Sequence, residues 1–166
     1  KKRHGFYLRE KEKNTNKVVL GFLGKLDFLP NRDSVEWILN YLAPALEKEK
    51  FKGKVLIVGG GADSDLIEKM NQFSFVEYVG FQENLELFWS KLSYFLIPHV
   101  SGSGVRIKLL EAIASGVPVL TNQAAIDPID LSCVNRELLY CGEKAEDWKK
   151  EILAFNAFEK REKFLL

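Results

Sequence analysis

The stretch YFLIPHVSGSGVRIKLLEAIASGVPVLT, residues 94–121, contains one complete example of the unit on which the fold prediction rests. Its first four residues form an apolar run typical of a buried strand, and Pro98 ends that run. A glycine-rich loop, residues 99–104, precedes a predicted helix from about Val105 to Ser115, and a further strand follows at residues 119–121. A strand, a helix and a second strand in this order indicate two parallel strands joined by a helical crossover.

The same unit recurs along the chain from residue 17 onward. Short apolar runs predict further strands at Val18–Leu23, Val55–Val58, Val76–Phe81 and Leu138–Cys141. Helical periodicity predicts helices from about Asp33 to Lys50, after a cap at Asp63 or Ser64 to about Gln72, from Leu85 to Lys91, and from Lys144 to Phe158. We therefore expect an α/β fold with a Rossmann-like, mainly parallel sheet that has helices on both faces.

Length and composition favour one compact domain. The chain has 166 residues, of which 46% are hydrophobic; this is enough for one sizeable core. We assign residues 17–155 to this domain, residues 1–16 to a basic connector and residues 156–166 to a carboxyl-terminal tail. Pro44 lies inside a predicted helix and is expected to kink it.

Charge and cysteine content exclude several classes of function. The 24 Lys and Arg against 23 Asp and Glu give a net charge of +1, which argues against a nucleic-acid-binding surface, although residues 1–17 are basic. The two cysteines form no C-x-x-C pair, so the sequence predicts neither a zinc site nor a disulfide framework. No apolar run approaches 18 residues and the amino end has no leader pattern, so we expect a cytoplasmic chain.

Glycines follow three of the predicted strands, at Gly24, at residues 59–61 and at residues 102–104. Ligands of open parallel sheets bind beyond the carboxyl ends of the strands, where loops and helix amino termini converge. Glycine lets the backbone approach a ligand, and a helix amino terminus favours an anion such as phosphate. Any one of these glycines is explained as well by an ordinary turn, but three at successive strand ends favour an anion-binding site.

Two cations and a carboxylate stand out in the helix after the third glycine cluster. Arg106 and Lys108 lie in its first turn, where the helix dipole disfavours positive charge, so they point to an anion nearby. Glu111 lies three residues after Lys108 and has apolar neighbours in the sequence. It is either the partner of Lys108 in a helical ion pair or a partly buried carboxylate that needs hydrogen-bond donors.

The run GSGVRIKLLEAIASGVPVL resembles the signature of the carboxyl-terminal, nucleotide-sugar donor-binding domain of group 1 glycosyltransferases of GT-B architecture. Three other segments, GFLGKLDFLPNRDSVEWIL, VLIVGGG and YVGFQENL, resemble the same family in the same order. The resemblance extends from about residue 17 to residue 121. It implies that the chain is one of the two Rossmann-like halves of a GT-B enzyme.

The resemblance also implies roles for individual residues. Glu111 matches the carboxylate that accepts hydrogen bonds from the nucleotide ribose, and Gly102, Ser103 and Gly104 match the loop that approaches the diphosphate. Arg106 and Lys108 match basic positions that reach the diphosphate, and with Glu111 they are the candidate catalytic residues. The remaining donor-binding candidates are Gly24, Lys25, Gly59, Gly80, Phe81 and His99.

Four of these positions carry alternatives or departures from the family pattern. Phe81 is placed beside the nucleobase but is equally suited to the core, and His99 is suited to a phosphate, a sugar hydroxyl or a structural role. Lys25 stands where the family commonly has Arg. Ser103 stands where many members have a second glutamate, which puts the sugar preference in doubt.

By this resemblance the chain is the donor-binding half of a retaining, metal-independent and cofactor-free hexosyltransferase. Such an enzyme moves a sugar from a nucleoside diphosphate sugar to a glycan or lipid acceptor, at times at the inner face of a membrane. The fragment alone is expected to be inactive without an amino-terminal acceptor domain, and the apolar residues Phe155, Phe158 and Phe164 are expected to be exposed by its absence. A nucleotide-sugar epimerase domain and a non-catalytic interaction module remain open alternatives.

Overall fold

The computed structural model describes residues 17–102, 107–127, 132 and 135–155. These residues form a six-stranded sheet in the order β3-β2-β1-β4-β5-β6, in which every pair of neighbouring strands is parallel. The strands are β1 (Val19–Leu23), β2 (Lys54–Val58), β3 (Val76–Gly80), β4 (Tyr94–Ile97), β5 (Val119–Thr121) and β6 (Leu139–Cys141). The expected Rossmann-like parallel sheet is therefore confirmed.

The helices are α1 (Leu29–Trp37), α2 (Ala43–Lys48), α3 (Ser64–Asn71), α4 (Glu86–Lys91), α5 (Ile107–Ala114), α6 (Gln123–Ile126) and α7 (Ala145–Leu153). A π-helical segment at Ile38–Leu42 joins α1 to α2, and a 3-10 turn at Arg136–Leu138 precedes β6. The chain runs outward from β1 to β3 and then returns to β4 on the other side of β1. The order of strands reverses there, which is the usual place for a ligand in such a sheet.

Alternating side chains of the strands pack into two cores, one on each face of the sheet. Val55 and Ile57 of β2 pack into the core that includes residues of α1, α3 and α7. Val58 belongs to the other core, with Phe88 of α4 and Leu109 of α5. Two-sided burial explains why the strands read as continuous apolar runs.

The first helical region starts earlier than predicted and is interrupted by a π-helical segment. Pro30 lies in the first turn of α1 and not in a loop, which is a position where its missing N–H costs nothing. The expected kink at Pro44 takes the form of the π-helical segment, in which the Ala43 N–H donates to Ile38 O five residues back. Proline offers no N–H to the turn before it, and a wider turn accommodates that loss.

Capping residues in the sequence marked the start of α3 and the end of α5 correctly, but the end of the last helix was placed too late. Asp63 caps α3 by accepting from the Leu66 N–H, and Gly116 ends α5 with a positive φ of 68°. The last helix ends at Leu153, and Phe155 is buried with its ring centroid 4.9 Å from that of Tyr94, so the expected exposure of Phe155 is wrong.

Three expectations about the two ends of the chain fall outside the described residues. They are the basic connector at residues 1–16, the tail at residues 156–166, and the exposure of Phe158 and Phe164. Within the described ranges, no helix is both long and apolar enough to cross a membrane.

Candidate functional site

The loops after β1, β2 and β3 are tied together by backbone hydrogen bonds beyond the sheet. The Gly24 N–H donates to Val58 O at 2.9 Å, and the Gly59 N–H donates to Gly80 O at 2.8 Å. Three of the glycines proposed as donor-binding residues therefore lie side by side at the carboxyl edge. The fold thus brings Gly24 and Gly80, which are more than 50 residues apart in the sequence, to the same edge of the sheet.

Glycine is needed at position 59 because the backbone of Gly24 fills the space that a side chain would occupy. A Cβ atom at this position would lie 1.8 Å from the carbonyl oxygen of Gly24, and the residue has a φ of +138°. Gly24 is also enclosed, because a Cβ there would lie 2.7 Å from the side chain of Asn31. Gly59 thus allows the loops after β1 and β2 to pack against each other at the carboxyl edge of the sheet, and Gly24 leaves room for the Asn31 side chain.

Gly80 and Phe81 form an open surface beside the packed loops after β1 and β2. Gly80 has a φ of +77°, and a Cβ built on it would have no neighbour within 4 Å. Phe81 is 77% exposed, so the interpretation of Phe81 as a core residue is wrong. A Cβ on Gly60 would lie 3.7 Å from Phe81 Cβ, so this ring projects from the edge next to the β2 loop.

The cations near the β1 and β2 loops have carboxylate partners. Lys25 Nζ lies 3.0 Å from Asp27 Oδ2 in an exposed ion pair. Arg32 Nη1 lies 2.6 Å from Asp63 Oδ2, and its hydrogen bond holds the pKa of the Asp63 carboxyl below its ordinary value. Lys25 and Arg32 are thus each paired with a carboxylate.

Helix α5 places Glu111 in the open. Glu111 is exposed, so the expectation of a partly buried carboxylate is wrong. Lys108 is partly buried, and burial lowers its pKa while the Glu111 charge opposes that shift. These two described side chains form no ion pair within 4.0 Å, so the helical ion pair is also absent and the Glu111 carboxylate is accessible.

The loop after β4 is only partly within the described ranges. Gly102 is exposed with a φ of +87°, whereas Ser103, Gly104 and Arg106 lie outside the described residues. His99 is partly buried, and its carbonyl oxygen accepts a hydrogen bond from Asn122 Nδ2 at 2.8 Å. This contact ties the β4 loop to the residue that follows β5.

Asn122 is a site-edge residue that the sequence analysis missed. Its Oδ1 is buried and has no hydrogen-bond partner among the described residues. Its place directly after β5, at the carboxyl end of a parallel strand, was the signal available in the sequence.

The first turns of α1 hold the β4 loop through residues that were also missed. Ser101 Oγ donates to Asp33 Oδ2 at 2.5 Å, and the Ser34 hydroxyl lies 2.8 Å from the carbonyl oxygen of Pro98. A cavity of about 220 Å³ lies beside these contacts. Its lining residues are Asp33, Glu36, Trp37, Asn40, Tyr41 and Val100.

In the part of the chain that the structure describes, no group of three or more His, Cys, Asp or Glu side chains is arranged to hold a metal ion. At the carboxyl edge, the side chains of Phe81 and Glu111 are exposed.

Comparison with known proteins points to one family. The family model described as "Glycosyl transferases group 1" matches residues 17–155. A search of curated proteins finds no match.

Solved structures share the fold at low sequence identity. TarM has 17% identity and a TM-score of 0.67 over 92% of this chain and 30% of its own. HepE from Anabaena, solved in complex with UDP-glucose, has 12% identity and a TM-score of 0.59 over 87% of this chain and 41% of its own. The carboxyl-terminal domain of the group 1 glycosyl transferase LpcC from Francisella tularensis has 16% identity and a TM-score of 0.58 over 86% of this chain and 77% of that domain.

Proposed function

Because the chain belongs to the group 1 glycosyltransferases, we propose that it is the donor-binding half of a retaining enzyme that transfers a sugar from a nucleoside diphosphate sugar to a glycan or lipid acceptor. The chain spans 30% of the length of TarM and 41% of that of HepE, so the acceptor-binding half is assigned to an amino-terminal domain not contained in it. The proposed reaction is of the hexosyltransferase type.

One observation carries the proposal, namely the open surface that Gly80 and the exposed Phe81 form at the carboxyl edge. The loops after β1, β2 and β3 are joined through Gly24, Gly59 and Gly80, at the point where the strand order reverses. Such a point is where open α/β sheets bind nucleotides. HepE, which shares this fold, was solved with UDP-glucose, and this supports a nucleotide sugar as the ligand here.

The exposed side chains at this edge fit the parts of such a ligand. Glu111 is exposed and forms no ion pair with another described residue, so it is available to accept hydrogen bonds from ribose hydroxyls. Phe81, 77% exposed and close to the β2 loop, offers an apolar face to a nucleobase. Gly102 leads into the predicted diphosphate loop, and Lys108 and Arg106 are the proposed cations for the diphosphate.

The proposed chemistry is electrostatic. Transfer leaves a nucleoside diphosphate whose negative charge grows as the bond to the sugar breaks. Backbone N–H groups and fixed cations that are aimed at this charge stabilise the transition state without covalent participation. The proposal requires no metal ion or cofactor for this step.

The test is a thermal-shift panel with UDP, GDP, ADP and CMP on the parent chain and on Glu111→Ala. A nucleotide at 100 times its Kd should stabilise the parent by about 2.7 kcal/mol, which is a rise of about 5–10 °C in Tm. Glu111→Ala should reduce that rise, whereas Glu68→Ala, which removes an exposed carboxylate from α3, should not.

Four outcomes would argue against parts of the proposal. No shift with any nucleotide would favour a non-catalytic module, and an equal shift in Glu111→Ala would remove the ribose-binding role of that residue. Conversion of the nucleotide sugar without any acceptor would favour an epimerase. Normal turnover in a transfer assay by the 166 residues alone would contradict the proposal that the acceptor half is missing.

A further inference from the structure

The loop after β4 is attached to α1 by side chains that lie far from it in the sequence. Ser101 Oγ donates to Asp33 Oδ2 at 2.5 Å. The Ser34 hydroxyl, in the next position of α1, lies 2.8 Å from the carbonyl oxygens of both Pro98 and Pro30, which share its single hydrogen. We call the contacts at Pro98 and at Ser101 the α1 latch, because they hold the two ends of the segment between these residues.

We propose that Asp33 is a positioning residue for donor binding, because it fixes through Ser101 the place from which the predicted diphosphate loop begins. The ligand in this inference rests on the proposed function, whereas the restraint on the loop rests on the contacts alone. Asp33 does not itself touch the proposed diphosphate. Its effect is carried by the backbone from Ser101 to Gly102.

Gly102 makes the position of the loop sensitive to the latch. It has a φ of +87°, and a Cβ on it would lie 2.9 Å from Pro30 Cγ in the first turn of α1. The segment is thus pressed against the same helix to which Asp33 holds it. Consecutive Cα atoms are about 3.8 Å apart, so a shift of Ser101 is passed directly to Gly102.

A purely helical role does not account for Asp33. Helix α1 begins at Leu29, so Asp33 lies beyond the first turn, where interaction with the helix dipole is weak. Among the described residues its carboxylate makes no ion pair within 4.0 Å, and its hydrogen-bond donor is Ser101. The carboxylate therefore serves the loop and not the helix in which it lies.

The first experiment measures the loop without any ligand. Backbone amide hydrogen exchange at residues 99–108 is compared in the parent, Asp33→Ala, Asp33→Asn and Asp65→Ala. Loss of one hydrogen bond should make exchange in Asp33→Ala about fivefold faster. Asp33→Asn keeps an acceptor for Ser101 and should remain close to the parent, as should Asp65→Ala, which removes an exposed carboxylate from the first turn of α3.

The second experiment measures nucleotide affinity by titration with UDP, GDP and ADP. For a nucleotide that the parent binds, Asp33→Ala and Ser101→Ala should each raise Kd by about fivefold. The double variant should be no weaker than either single variant, because both remove the same contact. Asp33→Asn should restore most of the affinity, and all variants should keep a Tm close to that of Asp65→Ala.

The outcomes separate this inference from the proposed function. Unchanged loop exchange in Asp33→Ala overturns the latch, whatever the nucleotides do. Faster exchange with an unchanged Kd in Asp33→Ala overturns its positioning role. If the parent binds none of the three nucleotides, the proposed function and the donor part of this inference both fail, while faster exchange would still support the restraint on the loop.

Discussion

Gly59→Ala tests whether the packing of two backbones builds the carboxyl edge. The added Cβ would lie 1.8 Å from Gly24 O, whereas real Cβ contacts stay beyond 3.0 Å, so the two loops must separate by more than 1 Å. The Gly24 N–H also holds the end of β2 through Val58 O. Strain at the positive φ, overpacking and a weakened hydrogen bond together give a loss of about 3–5 kcal/mol in the free energy of unfolding.

Two neighbouring glycines provide the matched controls for that variant. A Cβ on Gly60 would meet only Phe81 Cβ at 3.7 Å, an ordinary contact, so Gly60→Ala should be close to neutral. Gly80 has a φ of +77° but open space around it, so Gly80→Ala should cost only the strain of the left-handed conformation, about 1–2 kcal/mol. The expected order of destabilisation is Gly59, then Gly80, then Gly60.

Urea unfolding followed by circular dichroism measures all three variants against the parent. With an unchanged m-value, the difference in midpoint gives the change in stability, and for a chain of this size Gly59→Ala should lower Tm by about 10–15 °C. The reasoning would be refuted if Gly59→Ala proved no less stable than Gly80→Ala. It would also be refuted if Gly60→Ala lost as much stability as Gly59→Ala.

Two further predictions concern the supports of the edge. The hydrogen bond from Arg32 lowers the pKa of Asp63 below its ordinary 3.8. The ionised Asp63 carboxylate therefore stabilises the folded state fully above pH 3.8, and this contribution is lost as the pH falls through the folded-state pKa. The parent should therefore exceed Asp63→Asn in urea midpoint at pH 6, and the difference should shrink at about pH 2; a constant difference would contradict this. Trp148 is fully buried and its Nε1 donates to Gly142 O at 2.7 Å. Trp148→Phe should therefore lower the free energy of unfolding by about 2–3 kcal/mol. An unchanged urea midpoint would show that this hydrogen bond is dispensable.

The bounds of the strands could be predicted from sequence to within one residue. β4 and β5 have the predicted bounds because apolar side chains are needed on both faces, and Pro98 and Gly116 interrupt the pattern. The start of α1 could not be placed, because Pro30 is compatible with a loop and with a first helical turn alike. Helix α6 was missed because its four residues are too few to show helical periodicity.

The burial of Glu111 was predicted wrongly for a geometric reason. Its apolar sequence neighbours suggested a sheltered carboxylate, but successive residues of a helix project about 100° apart. Leu109 and Ala112 face the core, while Glu111 is exposed. Sequence neighbours are therefore a poor guide to burial in a helix, whereas residues three and four positions apart share a face.

The α1 latch lay beyond sequence reasoning because Ser101 and Asp33 are 68 residues apart and no pattern in the sequence links the two. Only the fold brings the β4 loop against α1.

A glycine-rich edge does not by itself indicate a ligand, and the structure separates the glycines by what surrounds them. At Gly59 and Gly24 the space for a side chain is filled by backbone or by Asn31, so packing explains these residues without any ligand. At Gly80 no atom lies within 4 Å of the position of a Cβ, and the next residue is the exposed Phe81. The inference to a nucleotide therefore draws its strength from the open surface at Gly80 and Phe81, since the enclosed glycines would be needed in any protein with this pair of loops.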